Sequence, residues 1–346
     1  MTAKEKIKVG ISVGDLNGIG LEVVLKTFQD KRMMEFCTPV MYASPKVIAY
    51  HKKALNLNIP INQAKSEEDL VADKLNCITV WKEEVQMDFG RPSKEIGSFA
   101  FKSLEAATNA VKEGKVDFLL TAPINKDNIF NEDFEFPGHT EYLGDAFGGD
   151  PLMLLVHENL RLGLITGHVP LSEVASLISA DLIRSKVDIL NKSLQQDFGI
   201  DRPKIAVLGL NPHCGDNGVI GKEDDELVKP VIEQIRKEEN KLVFGPYAAY
   251  GFFGSAAYKE FDGVLAMYHD QGLAPFKTIA FGSGVNFTAG LEAIRTSPDH
   301  GTGYEIAGKN QASPESFKQA LYTGIQLFRE RVSYKEITKN VLKTRG

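Results

Sequence analysis

Three cysteines are all that the 346-residue chain carries, and Cys37, Cys77 and Cys214 are odd in number and widely separated. They imply no disulfide framework, which fits a reducing cytoplasm. No apolar run approaches the length of a bilayer span, so no membrane association is expected. An export signal is missing as well: Lys4, Lys6 and Lys8 run straight into Val9-Gly10-Ile11-Ser12-Val13, too short for a signal core. Nor is there a block of Lys and Arg. With a net charge of −6 the chain is not expected to bind nucleic acid, although a basic pocket in one cleft is compatible with that balance. Internal repeats, low-complexity tracts and flexible linkers are also absent. What is left reads as a soluble, cytoplasmic protein whose 43% hydrophobic and 25% charged residues are ordinary for an enzyme.

The chain is too long for one ordinary core, which predicts two lobes with a cleft between them. Residues 7–13 read as a first strand, followed by a Gly-rich turn and a helix from near Gly20. Val40-Met41-Tyr42-Ala43 reads as a second strand, and Ser44-Pro45 opens a helix with Pro at its first position. A short β-like run covers 77–81, a helix stopped by Gly114 covers 97–113, and a buried strand covers 117–123. Helical stretches follow near 172–196, 223–239 and 314–331. The alternation predicts an α/β fold. With no linker, crossing strands should join the lobes, the first in residues 1–135 plus 281–346 and the second in 136–280.

Three histidines stand just past short apolar runs: Leu162-Gly163-Leu164-Ile165-Thr166-Gly167-His168, Ile205-Ala206-Val207-Leu208-Gly209-Leu210-Asn211-Pro212-His213, and Val264-Leu265-Ala266-Met267-Tyr268-His269. Such runs are buried parallel strands, and ligands in open α/β sheets bind beyond the carboxyl ends of strands. Singly, each histidine would read as a hydrogen-bonded structural residue. Together at equivalent positions they point to a divalent metal, with coordination positions left for substrate. Cys214, beside His213, is expected to turn away as a structural thiol.

Gly14-Asp15-Leu16-Asn17-Gly18-Ile19-Gly20 lies between a strand and a helix, where backbone N–H groups could receive an anion. It departs from the Rossmann glycine spacing, and a tight turn needing positive φ explains it equally well. Phe136-Pro137-Gly138-His139-Thr140-Glu141 puts an imidazole and a hydroxyl at a helix start suited to phosphate or carboxylate. Further on, Lys277, Asn286 and Arg295 on Gly-bounded loops suit an anionic small substrate.

His300-Gly301-Thr302-Gly303-Tyr304 through Asn310 resembles the adenosine-binding loop of the isocitrate and isopropylmalate dehydrogenases, and Gly14-Asp15 through Glu22 resembles their N-terminal loop. The two together imply NAD or NADP held by Asp15, Gly18, Gly20, His300, Gly301 and Asn310. The whole chain resembles the 4-hydroxythreonine-4-phosphate dehydrogenase family through Thr121-Ala122-Pro123-Ile124-Asn125-Lys126, Pro137-Gly138-His139-Thr140-Glu141, Gly167-His168-Val169-Pro170, Asn211-Pro212-His213-Cys214-Gly215-Asp216 and Tyr268-His269-Asp270-Gln271-Gly272. The last block continues through Pro275-Phe276-Lys277 and Gly284-Val285-Asn286 to Arg295-Thr296-Ser297-Pro298-Asp299-His300-Gly301.

This resemblance implies two α/β/α lobes with an interlobe active site. It implies that His168, His213 and His269 ligate one divalent metal (Zn, Mg or Co) at a homodimer interface. The dimer contacts then belong to the second lobe and the cofactor loops to the first. His139, Thr140, Lys277, Asn286 and Arg295 would contact a phosphorylated hydroxy-amino acid, and Asp270 and Lys277 would be catalytic, with Asp270 a candidate general base. Two departures stand out. Asp15-Leu16-Asn17 replaces the common Asp-Pro-Ala, and Tyr250-Gly251 occupies the place of an Asp-Thr pair, so a carboxylate expected near the metal is missing. The competing readings are a paralogous dehydrogenase of phosphothreonate or phosphoerythronate, a phosphotransacetylase-like acyl transferase, and a non-catalytic relative.

Overall fold

The computed structural model describes residues 6–130, 134, 136 and 138–339, so Pro137 of the approach to His139 lies outside the described residues. Two compact units emerge, one of Met1–Gly149 with Leu291–Phe328, the other of Asp150–Gly290 with Arg329–Gly346. The described strands are numbered along the chain: β1 Ile7–Ser12, β2 Cys37–Ala43, β3 Ile61–Ala64, β4 Leu75–Thr79, β5 Phe118–Thr121, β6 Leu152–His157, β7 Leu160–Leu164, β8 Lys204–Leu208, β9 Leu242–Tyr247, β10 Gly263–Ala266, β11 Val285–Ala289 and β12 Arg295–Pro298.

In the first unit the strand order is β3-β4-β2-β1-β5-β12 and every pairing is parallel. Parallel strands are covered on both faces, and β2 and β5 are accordingly buried along their whole length. The helix Lys94–Lys112 turns Leu104, Ala107 and Ala110 into a core with Val40, Tyr42 and Leu119. The second unit runs β11-β6-β7-β10-β8-β9. Its β11-β6 and β6-β7 pairings are antiparallel, whereas β7-β10, β10-β8 and β8-β9 are parallel. Leu162, Leu164, Ala206, Leu208, Val264 and Ala266 share that unit's core with Phe252 and Phe276.

The unit boundaries differ from those expected. The first unit extends to Gly149 because Leu143 and Phe147, on the helix His139–Phe147, pack into the same core as Leu104 and Ala107. Residues 281–290 belong to the second unit because β11 pairs with β6. The chain from Arg329 also groups there, where buried Arg331 and Asp197 form an ion pair at 2.6 Å. The stretch read as one helix over 172–196 is two, Leu171–Leu177 and Ala180–Gln196, because Ser179 starts the second by accepting the Leu182 amide on its Oγ. Among the described residues no helix is long and apolar enough to cross a membrane.

Candidate active site

β7, β10 and β8 are parallel neighbours, Val264 lying opposite both Leu162 and Ala206, so their carboxyl ends share one edge of the second unit's sheet. His168, His269 and His213 follow those three ends. His168 and His269 face one another, with ring centroids 5.2 Å apart and planes tilted by 43°. The His269 Nδ1 lies 2.7 Å from Asp270 Oδ1, and the His213 Nδ1 lies 3.1 Å from the Tyr250 hydroxyl. In both rings Nε2 is therefore the nitrogen presented to a ligand. Among the described residues no three His, Cys, Asp or Glu side chains gather closely enough to hold one metal ion.

The loop bearing His213 is backbone-strained and braced. His213, Cys214, Asp216 and Asn217 all have left-handed φ, between 46° and 55°. Such residues cost roughly 1 kcal/mol each and need outside support. Buried Asp224 provides it, accepting the Leu210 amide at 2.7 Å and the Asn211 amide at 2.9 Å. Cys214 packs its Sγ under Gly209, where a Cβ would come within 2.7 Å, and burial pushes its thiol up to about 11, as a structural residue requires. Gln271 links two strand ends, its Oε1 accepting from the Met267 amide and its Nε2 donating to the Gly209 carbonyl.

The carboxylate of Asp270, the candidate general base, engages the His269 ring and so orients that ring. Lys277 sits not on a Gly-bounded loop but on the helix His269–Ala280. It comes two turns after His269, about 12 Å along the axis, and helical side chains lean back toward the N-terminus that carries the histidine. Asn286 is on β11, and its Oδ1 is buried with no hydrogen-bond partner among the described residues.

The first unit holds a cationic cradle. Arg295, on β12, is 3% exposed and donates from Nε and Nη2 to Thr121 Oγ1 at 3.1 and 2.8 Å. Burial lowers this guanidinium to about 9, partly opposed by Glu141. His139 and Thr140 are the first two residues of the helix His139–Phe147, as the sequence indicated. The His139 Nε2 is buried without a partner among the described residues. Burial, then the charges of Arg295 and Lys126, hold its pKa well below the ordinary histidine range. Two cations around a neutral imidazole suit an anion such as a phosphate or carboxylate.

The Gly14–Gly20 loop does not present the open amides expected of an anion site. The amide of Asp15 donates to Pro123 O, that of Asn17 to Asp15 Oδ1, that of Gly18 to Asp15 O and that of Ile19 to Thr302 O. Asp15, Gly18 and Gly20 are buried. A Cβ on Gly14, whose φ is +68°, would fall 2.2 Å from Pro123 O, and one on Gly18 would fall 2.7 Å from Thr302 O. Close packing is the reason for these glycines. The loop instead supports the segment around His300 and Gly301, because Asp15 Oδ2 accepts from the Tyr304 hydroxyl at 2.7 Å and from Asn128 Nδ2 at 3.1 Å. Gly301 and Asn310 are exposed, and Asn310 donates to the Leu55 carbonyl.

Sequence reasoning passed over Lys126, Thr121, Asp224 and Tyr304. The Thr121–Lys126 block contained a signal for the first two. Asp224 lies in an acidic run that reads as a solvated helix face.

The description "Pyridoxal phosphate biosynthetic protein PdxA" belongs to the family whose profile matches residues 35–324. A 4-hydroxythreonine-4-phosphate dehydrogenase of Bacteroides thetaiotaomicron is 47% identical over 342 residues, covering 98% of this chain and 94% of the relative. A D-threonate 4-phosphate dehydrogenase of Cupriavidus necator is 35% identical, covering 93% of this chain and 98% of the relative. The crystal structure of a 4-hydroxythreonine-4-phosphate dehydrogenase from Burkholderia phymatum superposes with a TM-score of 0.78 at 33% identity, covering 94% of this chain and 99% of that one.

Proposed function

The chain belongs to the PdxA family of pyridoxal phosphate biosynthetic proteins, and we propose that it oxidises the 3-hydroxyl of 4-phosphooxy-L-threonine with NAD+ or NADP+ in the cytoplasm. The hydroxyl loses its proton and C3 gives up a hydride. The resulting 2-amino-3-oxo-4-phosphooxybutanoate, a β-keto acid, releases CO2 to leave 3-amino-2-oxopropyl phosphate. The observation that carries this reading is the edge of three adjacent parallel strands, each followed by a histidine.

His168, His213 and His269 would hold one divalent metal, Zn, Mg or Co, in a homodimer. The imidazoles are the right type of donor and the Nδ1 partners Asp270 and Tyr250 aim two of the rings, but the three side chains of one copy do not gather closely enough to hold an ion by themselves. When bound, the ion supplies electrophilic stabilisation of negative charge at the substrate oxygen, and the nicotinamide supplies the hydride acceptor. Exposed Leu171, Val219 and Phe281 follow the three histidines in the chain and supply apolar surface for a second copy.

Arg295 and Lys126 bind an anionic end of the substrate and fix its orientation. His139, kept neutral, offers a hydrogen bond there without adding charge, and Thr140 offers a hydroxyl. The buried Asn286 Oδ1 is an acceptor suited to a substrate N–H or O–H. Asp270 is the candidate base for the hydroxyl proton, and Lys277 offers positive charge to the oxygen left behind. The segment from His300 through Gly301 to Asn310 holds the dinucleotide, and Asp15 holds that segment in place.

A second reading, oxidation of D-threonate 4-phosphate, is favoured by the Cupriavidus necator relative. Exchanging the substrate amine for a hydroxyl would alter few of these contacts. Purified protein supplied with Zn2+, NAD+ or NADP+ and each phospho-acid should reduce the nicotinamide with 4-phosphooxy-L-threonine and stop on chelation. Turnover of D-threonate 4-phosphate with none of 4-phosphooxy-L-threonine would sink the primary reading.

A further inference from the structure

We infer that Asn128 is a positioning residue for the segment from His300 to Asn310, an inference that rests on reading that segment as the holder of the dinucleotide. Asn128 is 6% exposed and sits on the single helical turn Lys126–Ile129. Its Nδ2 donates to the Tyr304 hydroxyl at 3.0 Å and to Asp15 Oδ2 at 3.1 Å. The Tyr304 hydroxyl in turn donates to Asp15 Oδ2 at 2.7 Å, which closes a ring of three side chains. A carboxylate can only accept, so it fixes the amide with its nitrogen inward and both amide hydrogens in use. The phenol, kept protonated by burial, accepts from Asn128 and has its own proton left for Asp15. Asn128 thus sets the direction in which Tyr304 donates.

The turn that carries Asn128 is itself held from two sides. Asn125 Oδ1 accepts the Asp127 and Asn128 amides at 2.9 and 3.0 Å. The helix Lys94–Lys112 presses on its backbone: a Cβ on Gly97 would fall 1.9 Å from the Asn128 carbonyl oxygen, so only glycine permits the approach. The same turn begins with Lys126, which belongs to the anion cradle. One braced turn therefore carries a cation for the substrate and, two residues on, the support of the dinucleotide segment. Hydride transfer needs the two ligands in register, and this arrangement sets both from a common base.

In fluorescence titrations of the full-length chain, Asn128→Ala should weaken binding of NADH or NADPH by about tenfold. The KM for the phosphorylated substrate should stay unchanged, because Asn125 still caps the turn of Lys126. Asn128→Asp keeps the size of the side chain and sets a second carboxylate against Asp15, with Asp15 and Tyr304 the titratable groups in hydrogen-bond reach of it. Two carboxylates so close take up a shared proton as pH falls, and that proton restores the lost donor. The affinity of this variant relative to the unmodified chain should therefore recover between about pH 8 and about pH 6. Unchanged dinucleotide affinity in Asn128→Ala, a substrate KM that rises in step with the loss, or a pH-independent ratio in Asn128→Asp would each overturn the inference. Gly301→Asp separates the two levels: a Cβ there meets nothing within 4 Å, and the new charge would repel the phosphates of a dinucleotide. If it leaves dinucleotide binding intact, the segment is not the holder and both readings fail. If it weakens binding and the Asn128 variants do not, only the role of Asn128 fails.

Discussion

Two histidines of the first unit and three of the second stand in opposite surroundings. In the first, His51 is fully buried with its ring edge-on to Phe89 at 4.9 Å, and burial holds it at about 4. His139 is likewise kept neutral by burial and by two neighbouring cations. In the second unit, His168 and His213 are exposed, and His213 and His269 each have Nδ1 on a polar partner. Such exposure is what the proposed coordination would need, since a ligand nitrogen has to be reachable. The first unit thus fixes the charge of its imidazoles, and the second fixes their direction. A neutral His139 beside Arg295 and Lys126 leaves positive charge for an anion, while an oriented His213 or His269 leaves a lone pair for a metal.

The sharpest way to break this comparison is Arg295→Ala. If the first unit exists to receive an anion, removing its buried cation should lower kcat/KM by roughly 10³-fold, about 4 kcal/mol, chiefly through KM. Zn2+ affinity should stay unchanged, because the histidine edge is untouched. Steady-state kinetics with the phosphorylated substrate would decide it, and an unaltered KM would place the anion elsewhere.

Next in size is an acid effect confined to the buried histidines. His51 has its folded-state pKa lowered from 6.5 to about 4. Below pH 6.5 the unfolded chain therefore takes up a proton that the folded chain refuses until about pH 4. The stability is intact above pH 6.5 and falls as pH drops through that window, by about 3 kcal/mol in all. Urea midpoints across the window should show this limb, and His51→Leu should flatten it. A limb of the same depth in His51→Leu would assign the acid sensitivity to other groups.

The strands of the histidine edge were legible because buried parallel strands announce themselves as continuous apolar runs, and because the histidines follow them closely. The helix start at His139-Thr140 was legible from its Gly138 approach. Antiparallel β6 and β11 were not, because Leu152–His157 is a short apolar run and Val285–Ala289 alternates apolar and polar residues over only five positions, so only pairing decides their environment. The role of Asp270 was hidden for a related reason. A carboxylate next to a histidine serves equally well as a base or as a prop, and the 2.7 Å contact to His269 is not written in the sequence. The Gly14–Gly20 loop left two readings open for the opposite reason. Its composition suits anion binding, but the partners that take up its amides, Pro123 and Thr302, are more than a hundred residues away in the chain.

That loop gives the smallest and most selective test. Burial and the Asp15 carboxylate push the Tyr304 phenol up, so it stays protonated and donates to Asp15 at 2.7 Å. Thr302 is tied separately, its carbonyl accepting the Ile19 amide at 2.8 Å. Tyr304→Phe removes a hydrogen bond to a charged acceptor, a loss of about 1.5 kcal/mol, which corresponds to roughly tenfold weaker dinucleotide binding. Fluorescence titration with NADH or NADPH should show that change, while Zn2+ titration of the same variant should match the unmodified chain. If dinucleotide affinity holds, the Thr302 anchor alone fixes the segment. If Zn2+ affinity falls with it, the division between a charge-setting unit and a direction-setting unit does not describe this protein.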